Sequence, residues 1–150
     1  DANGYWTEGI LSGTPLPGTF MELVPATNPV SGALYTWRAR SSAGGSADPV
    51  VILVNNWEGG STNTTATTSG NICKLYWPRP GDKLNALVAE SSGTGTAGEN
   101  LIGDRLAINS SGMLYAGGSL TQRPFYLIDR TGLVATETTL RLVWYIGHAA

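Results

Sequence analysis

If this chain performs chemistry, it has few residues to do it with. Its one histidine, His148, lies in the tail Gly147-His148-Ala149-Ala150, and its one cysteine, Cys73, lies in the run Ile72-Cys73-Lys74-Leu75. A Ser-His-Asp triad or a zinc site needs an imidazole held by a second hydrogen-bonding partner, which a chain end does not supply, so His148 is expected to be solvated. A single thiol cannot close an internal disulfide, and Cys73 is expected to be a small buried apolar residue. Eleven acidic residues could contain the carboxylate pair of a glycoside hydrolase, but Asp48, Asp82, Asp104 and Asp129 fall where turns and strand ends are expected. Gly93-Thr94-Gly95-Thr96-Ala97-Gly98 fits G-x-G-x-x-G. A pyrophosphate site also needs a helix starting at the last glycines, and Glu99-Asn100-Leu101-Ile102 runs directly into Gly103-Asp104, leaving no room for one. No nucleophile, base and oxyanion donor come together, so neither an enzyme nor a cofactor or metal site is expected.

The residues that recur in a pattern do structural work. Gly81-Asp82-Lys83-Leu84 precedes the run Leu84-Asn85-Ala86-Leu87-Val88, and Gly103-Asp104-Arg105-Leu106 precedes Ala107-Ile108 and the turn Asn109-Ser110-Ser111-Gly112. Glycine takes the positive φ that other residues avoid, and the aspartate carboxylate can accept from nearby backbone N–H groups, so each step reverses the chain into a strand. Gly81, Asp82, Gly103, Asp104 and Gly112 are therefore expected to be structural turn residues.

Strands are expected over residues 19–24, 34–40, 50–54, 72–77, 84–90, 106–109, 125–129 and 140–146. Helical periodicity is absent. Tyr35-Thr36-Trp37-Arg38-Ala39-Arg40 alternates as a strand with one wet face does, whereas Val50-Val51-Ile52-Leu53-Val54 is apolar throughout and should be covered on both sides. Segments 41–49, 58–70 and 91–100 are rich in Gly, Ser and Thr and read as surface loops. Residues 1–18 show no sustained period and are expected to form an extended N-terminal arm and turn, ahead of one β domain over 19–150. The fold expected is all-β: a compact β-sandwich or a barrel-like, β-tulip-like domain.

Composition excludes several partners. The 150 residues carry a net charge of −2, only 13% are charged, and Gly and Pro number 20 and 8, as in all-β chains with many turns. The basic residues are scattered rather than striped, so no nucleic-acid partner is expected. No apolar run reaches the roughly 18 to 20 residues of a membrane-spanning helix. The chain starts at Asp1 without a leader-like pattern, and a processed, soluble chain is expected. Sequons at Asn63 and Asn109 would matter only on a secretory route.

The aromatic residues carry the strongest interaction signal. Of five tryptophans, Trp37, Trp77 and Trp144 fall in strands and are expected to pack in the core or at its rim. Trp6 in the arm and Trp57 at a strand end are better placed to anchor a partner. An arm carrying Tyr5 and Trp6 should dock on something, which makes Tyr5, Trp6, Thr7, Glu8, Ile10 and Trp57 the candidate contact residues. Deletion of residues 1–10 is then expected to leave a folded domain.

Residues 76–146 resemble the capsid decoration, or head cement, proteins of tailed bacteriophages. The resemblance rests on Gly81-Asp82-Lys83-Leu84-Asn85-Ala86-Leu87-Val88, the second step Gly103-Asp104-Arg105-Leu106, the turn Gly112-Met113-Leu114, and the closing strands Phe125-Tyr126-Leu127-Ile128-Asp129 and Leu140-Arg141-Leu142-Val143-Trp144-Tyr145-Ile146. Thr14-Pro15-Leu16-Pro17-Gly18-Thr19-Phe20-Met21-Glu22-Leu23 is similar to that family's turn into its first strand. The resemblance implies a β domain that binds the outer surface of an assembled icosahedral shell. It further implies a homotrimer at three-fold or quasi-three-fold positions, with the major capsid protein as partner and no cofactor. A glycan-binding or adhesion module on a virion or cell surface is the alternative.

Overall fold

The computed structural model describes residues 4–24, 35–41, 49–56, 69–89, 103–115, 123–128 and 138–147. Every regular element among them is a strand: β1 (Tyr5–Leu11), β2 (Met21–Leu23), β3 (Thr36–Ala39), β4 (Ile52–Asn56), β5 (Ile72–Trp77), β6 (Lys83–Ala89), β7 (Arg105–Ile108), β8 (Leu114–Tyr115), β9 (Phe125–Leu127) and β10 (Thr138–Tyr145). Five form a sheet in the order β2-β3-β1-β5-β4, and five close into a barrel in the order β10-β6-β8-β7-β9. The protein is all-β and barrel-like. No helix long and apolar enough to cross a membrane occurs among the described residues.

The N-terminal segment departs from expectation. Instead of an arm, Tyr5–Leu11 is the central strand of the five-stranded sheet. It is antiparallel to β5 from Tyr5↔Trp77 to Ile10↔Ile72 and parallel to β3 through Ile10↔Thr36 and Leu11↔Trp37. The boundary expected at residue 18 therefore falls inside one β unit. Alternation along β1 is masked in the sequence by Gly9, which sits on the inward face where a side chain would be expected. A Cβ there would lie 2.3 Å from Trp37 Cδ1, so the indole occupies the space the glycine leaves.

Two apolar clusters share one wall. Phe20, Val50 and Ile52 join Leu84, Ala86, Val88, Leu106, Ile108, Leu114, Phe125, Leu127, Val143 and Tyr145 inside the barrel. Their chain neighbours Met21, Val51 and Leu53 point the other way, to Leu11, Trp37, Cys73 and Leu75. Successive residues of an extended chain face opposite sides, so an all-apolar 50–53 run serves both cores, as its pattern requires.

Main-chain bonds stitch the same wall. Phe20 bridges Ile52, Met21 N–H donates to Val51 C=O at 2.8 Å, and Leu53 N–H donates to Thr19 C=O at 2.9 Å, joining the two edge strands of the sheet. Phe20 N–H also donates to Gly112 C=O at 2.8 Å, and Leu87 N–H to Gly18 C=O at 3.0 Å, tying sheet to barrel.

The expected turn glycines take the left-handed backbone: φ is 100° at Gly81, 94° at Gly103 and 77° at Gly112. Gly112 has a second reason to be glycine, because a Cβ would lie 2.5 Å from Phe20 O. The Asn109 turn is held by its own side chain, whose Oδ1 accepts from Ser111 N–H at 2.8 Å and Met113 N–H at 3.0 Å. Trp57, His148, Asp48, Asp129, the Asn63 sequon, residues 58–68 and the whole 91–100 loop with its glycine pattern lie outside the described residues.

Candidate interaction surface

Asp82 does more than shape its turn. Its Oδ2 accepts from Arg79 N–H at 2.9 Å, as a turn carboxylate should, and also from the Tyr76 hydroxyl at 2.6 Å. Gly4 N–H donates to Tyr76 Oη at 2.8 Å and reaches Asp82 Oδ2 at 3.4 Å. The barrel's first Gly-Asp step thus holds the end of β5 and the start of β1 together. Glycine at position 4 permits this approach, since a Cβ would overlap the Trp77 carbonyl oxygen.

The titrations follow from that geometry. Burial alone would raise the Asp82 carboxyl, but the Tyr76 hydroxyl and the N–H groups of Arg79 and Gly4 outweigh it, and the carboxyl is held below its usual range. Tyr76 is shifted up, first by burial and then by donating to the Asp82 carboxylate. Both shifts keep the pair in the ionic state that makes the bond: phenol protonated, carboxylate charged.

Immediately beyond this clamp, β1 displays two aromatic residues on opposite faces. Tyr5 is 57% exposed and Trp6 53% exposed. Neither swings free. Tyr5 stacks on Trp77 with ring centroids 5.4 Å apart and planes 11° from parallel, and Trp77 meets the buried Trp37 edge-on at 5.8 Å. Trp6 packs on Tyr76 at 4.8 Å, with Lys74 Nζ 4.9 Å from the indole centroid. Rings fixed in this way lose little further freedom on binding, which is the property of an interface anchor.

Two recesses flank the pair. On the Trp6 side, at the junction of sheet and barrel, an open cleft of about 550 Å³ is lined by Trp6, Gly18, Leu53, Val54, Lys83 and Asn85 among others. On the opposite face a recess of about 290 Å³ lies between Met21, Leu23, Trp37, Arg40 and Trp77.

The remaining candidates divide. Thr7 and Ile10 are half-buried and Glu8 is exposed, all on a paired central strand rather than on an arm. Trp144 is 43% exposed, not packed in the core, and its indole N–H donates to Gly81 C=O at 2.9 Å. Gly103 is paired through its N–H to Leu127 C=O, and Asp104 C=O accepts from Leu127 N–H, so the second Gly-Asp step braces the barrel. Tyr76 and Gly4 were not singled out in the sequence, because their importance lies in contacts to residues 6 and 72 or more positions away.

Reactive chemistry is scarce at this surface. No cluster of His, Cys, Asp and Glu suited to a metal occurs among the described residues. Cys73 is fully buried, and burial pushes its thiol up to about 11. No protein-family model matches this chain, and no curated protein matches it.

Proposed function

We propose that this chain is a capsid decoration protein, a structural component that binds the outside of an assembled icosahedral head and bridges its capsomers. The observation that carries this reading is the rigid display of Tyr5 and Trp6 beside the Asp82 clamp. Exposed aromatic residues held in place by stacking and a cation–π contact are costly in water and suited to burial against a protein. The Gly-Asp-x-Leu steps that relate the sequence to head cement proteins build the clamp and the barrel beneath it, so resemblance and display converge on one region. In this reading the contacts come from a paired strand and not from a flexible arm. Three copies around a three-fold position would multiply weak contacts through their effective concentration.

The test uses particles carrying the chain. A reconstruction should place it over three-fold or quasi-three-fold junctions with Tyr5 or Trp6 against the shell, and native mass spectrometry should find a trimer. The double substitution Tyr5→Ala, Trp6→Ala should empty those positions while circular dichroism stays unchanged. Full occupancy by the folded variant would refute the role of β1, and selective binding on a glycan array without affinity for any shell would refute the role as a whole. Removal of residues 1–10 is not a usable test, because it would excise the central strand of a sheet.

A further inference from the structure

The cleft beside Trp6 contains a strand edge that is unpaired among the described residues. β6 pairs with β10 along Lys83–Ala89 on one side, whereas on the other its named strand partner is β8, through Val88↔Leu114. The direction of each main-chain group follows from the bonds around it. Leu87 N–H donates away from β10, to Gly18 C=O, while Tyr145 N–H of β10 reaches Asp82 C=O. Alternation along an antiparallel strand then turns the N–H and C=O of Lys83 and Asn85 away from β10 as well. These groups have no backbone partner among the described residues, and both residues line the 550 Å³ cleft.

Beyond Leu53 the facing wall is also an edge among the described residues. β4 ends the order of its sheet, and its bonds across to Gly18 and Thr19 stop at Leu53. The pairing of β4 with β5 shifts register between Leu53 and Asn55, so Val54 bulges at the cleft. An unpaired edge is usually blunted by charge or covered, and Lys83 is such a charge. Asn85 is not, and Trp6 and the half-buried Val54 supply apolar surface within the same cleft.

We infer that this cleft binds an extended peptide segment of a partner protein, which adds to the free edge of β6 at Lys83 and Asn85 and sets apolar side chains against Trp6 and Val54. A repeating row of main-chain donors and acceptors is complementary to another strand; affinity comes from the backbone and selectivity from side chains at alternate positions. The inference rests on the proposed structural role only for who supplies the strand, since a shell protein would do so there.

The decisive variant is Asn85→Pro. It removes one edge donor and leaves the bonds to β10 intact, because those come from even-numbered positions; a proline is tolerated where its missing N–H faces outward. A display library of linear peptides is panned against the full chain. Enriched peptides with apolar residues at alternate positions, which bind Asn85→Pro about tenfold more weakly, are expected. Hydrogen exchange on the unmodified chain gives an independent readout should the variant misfold, and the Lys83 and Asn85 amides should gain protection when such a peptide is bound. The inference is overturned by no enrichment, by equal binding of the folded variant, by unprotected Lys83 and Asn85 amides, or by glycan-array binding that depends on Trp6. Self-association abolished by Asn85→Pro would assign the edge to a second copy and overturn it too. Failure here leaves the shell test of Tyr5 and Trp6 untouched.

Discussion

Replacing Asp82 with alanine tests whether the Gly-Asp step is a local turn or a clamp between sheets. A turn carboxylate that accepted only from Arg79 would contribute as a cap does, about 1 kcal/mol. The structure adds the 2.6 Å bond from Tyr76, whereas the 3.4 Å approach of Gly4 N–H is too long to count for much. Bonds to a charged group contribute about 1.5–3 kcal/mol each when buried. Asp82 is only half-buried, so water replaces part of what is lost, and about 1 kcal/mol per bond is appropriate. The variant should therefore lose about 2 kcal/mol, or about 4–8 °C in Tm for a chain of this size. Urea unfolding followed by tryptophan fluorescence measures the loss, and Tyr76→Phe completes a double-mutant cycle with an expected coupling of about 0.5–1 kcal/mol. Asp82 is lowered in the folded state, so its contribution is fully present above the unfolded carboxyl pKa of about 3.9 and is lost as pH falls through the lower folded value. The gap between wild type and Asp82→Ala should accordingly close in acid. Additive single effects, or a gap that does not narrow at all as pH falls below the unfolded carboxyl value, would refute the clamp.

Three further outcomes follow from the packing. Gly9→Ala should lower stability by about 1–3 kcal/mol in urea unfolding, because the new methyl meets the buried Trp37 ring; an unchanged midpoint would contradict the fit. Gly103→Ala and Gly112→Ala both pay for a left-handed backbone, about 1–2 kcal/mol, but only Gly112 has the Phe20 carbonyl in the way, so its variant should be the less stable. Equal midpoints would remove that contact from the account. Cys73 should resist iodoacetamide at pH 8 in the native protein and react once unfolded in urea; rapid native alkylation would contradict its burial.

The all-β class, the turn glycines and the two-sided apolar run 50–53 were legible in the sequence, since each depends on neighbours a few residues apart. Val50–Leu53 needs no distant partner to announce that both its faces are apolar, and Gly81, Gly103 and Gly112 mark chain reversals wherever the chain goes next. The role of residues 5–11 was not legible. A strand reveals itself by alternation, and Gly9 erases that signal because Trp37 fills its place from another strand. Tyr5 and Trp6 could be picked as exposed aromatics, yet whether they rode an arm or a sheet depended on pairing with residues 72–77. Asp82 likewise looked local: its bond to Arg79 spans three residues, but the Tyr76 hydroxyl that also donates to it accepts from Gly4 N–H, 72 positions from Tyr76. Short-range stereochemistry, written in residue types, set the class and the turns. Long-range register, chosen by how two apolar clusters could share one wall, decided which residues stand together at the surface.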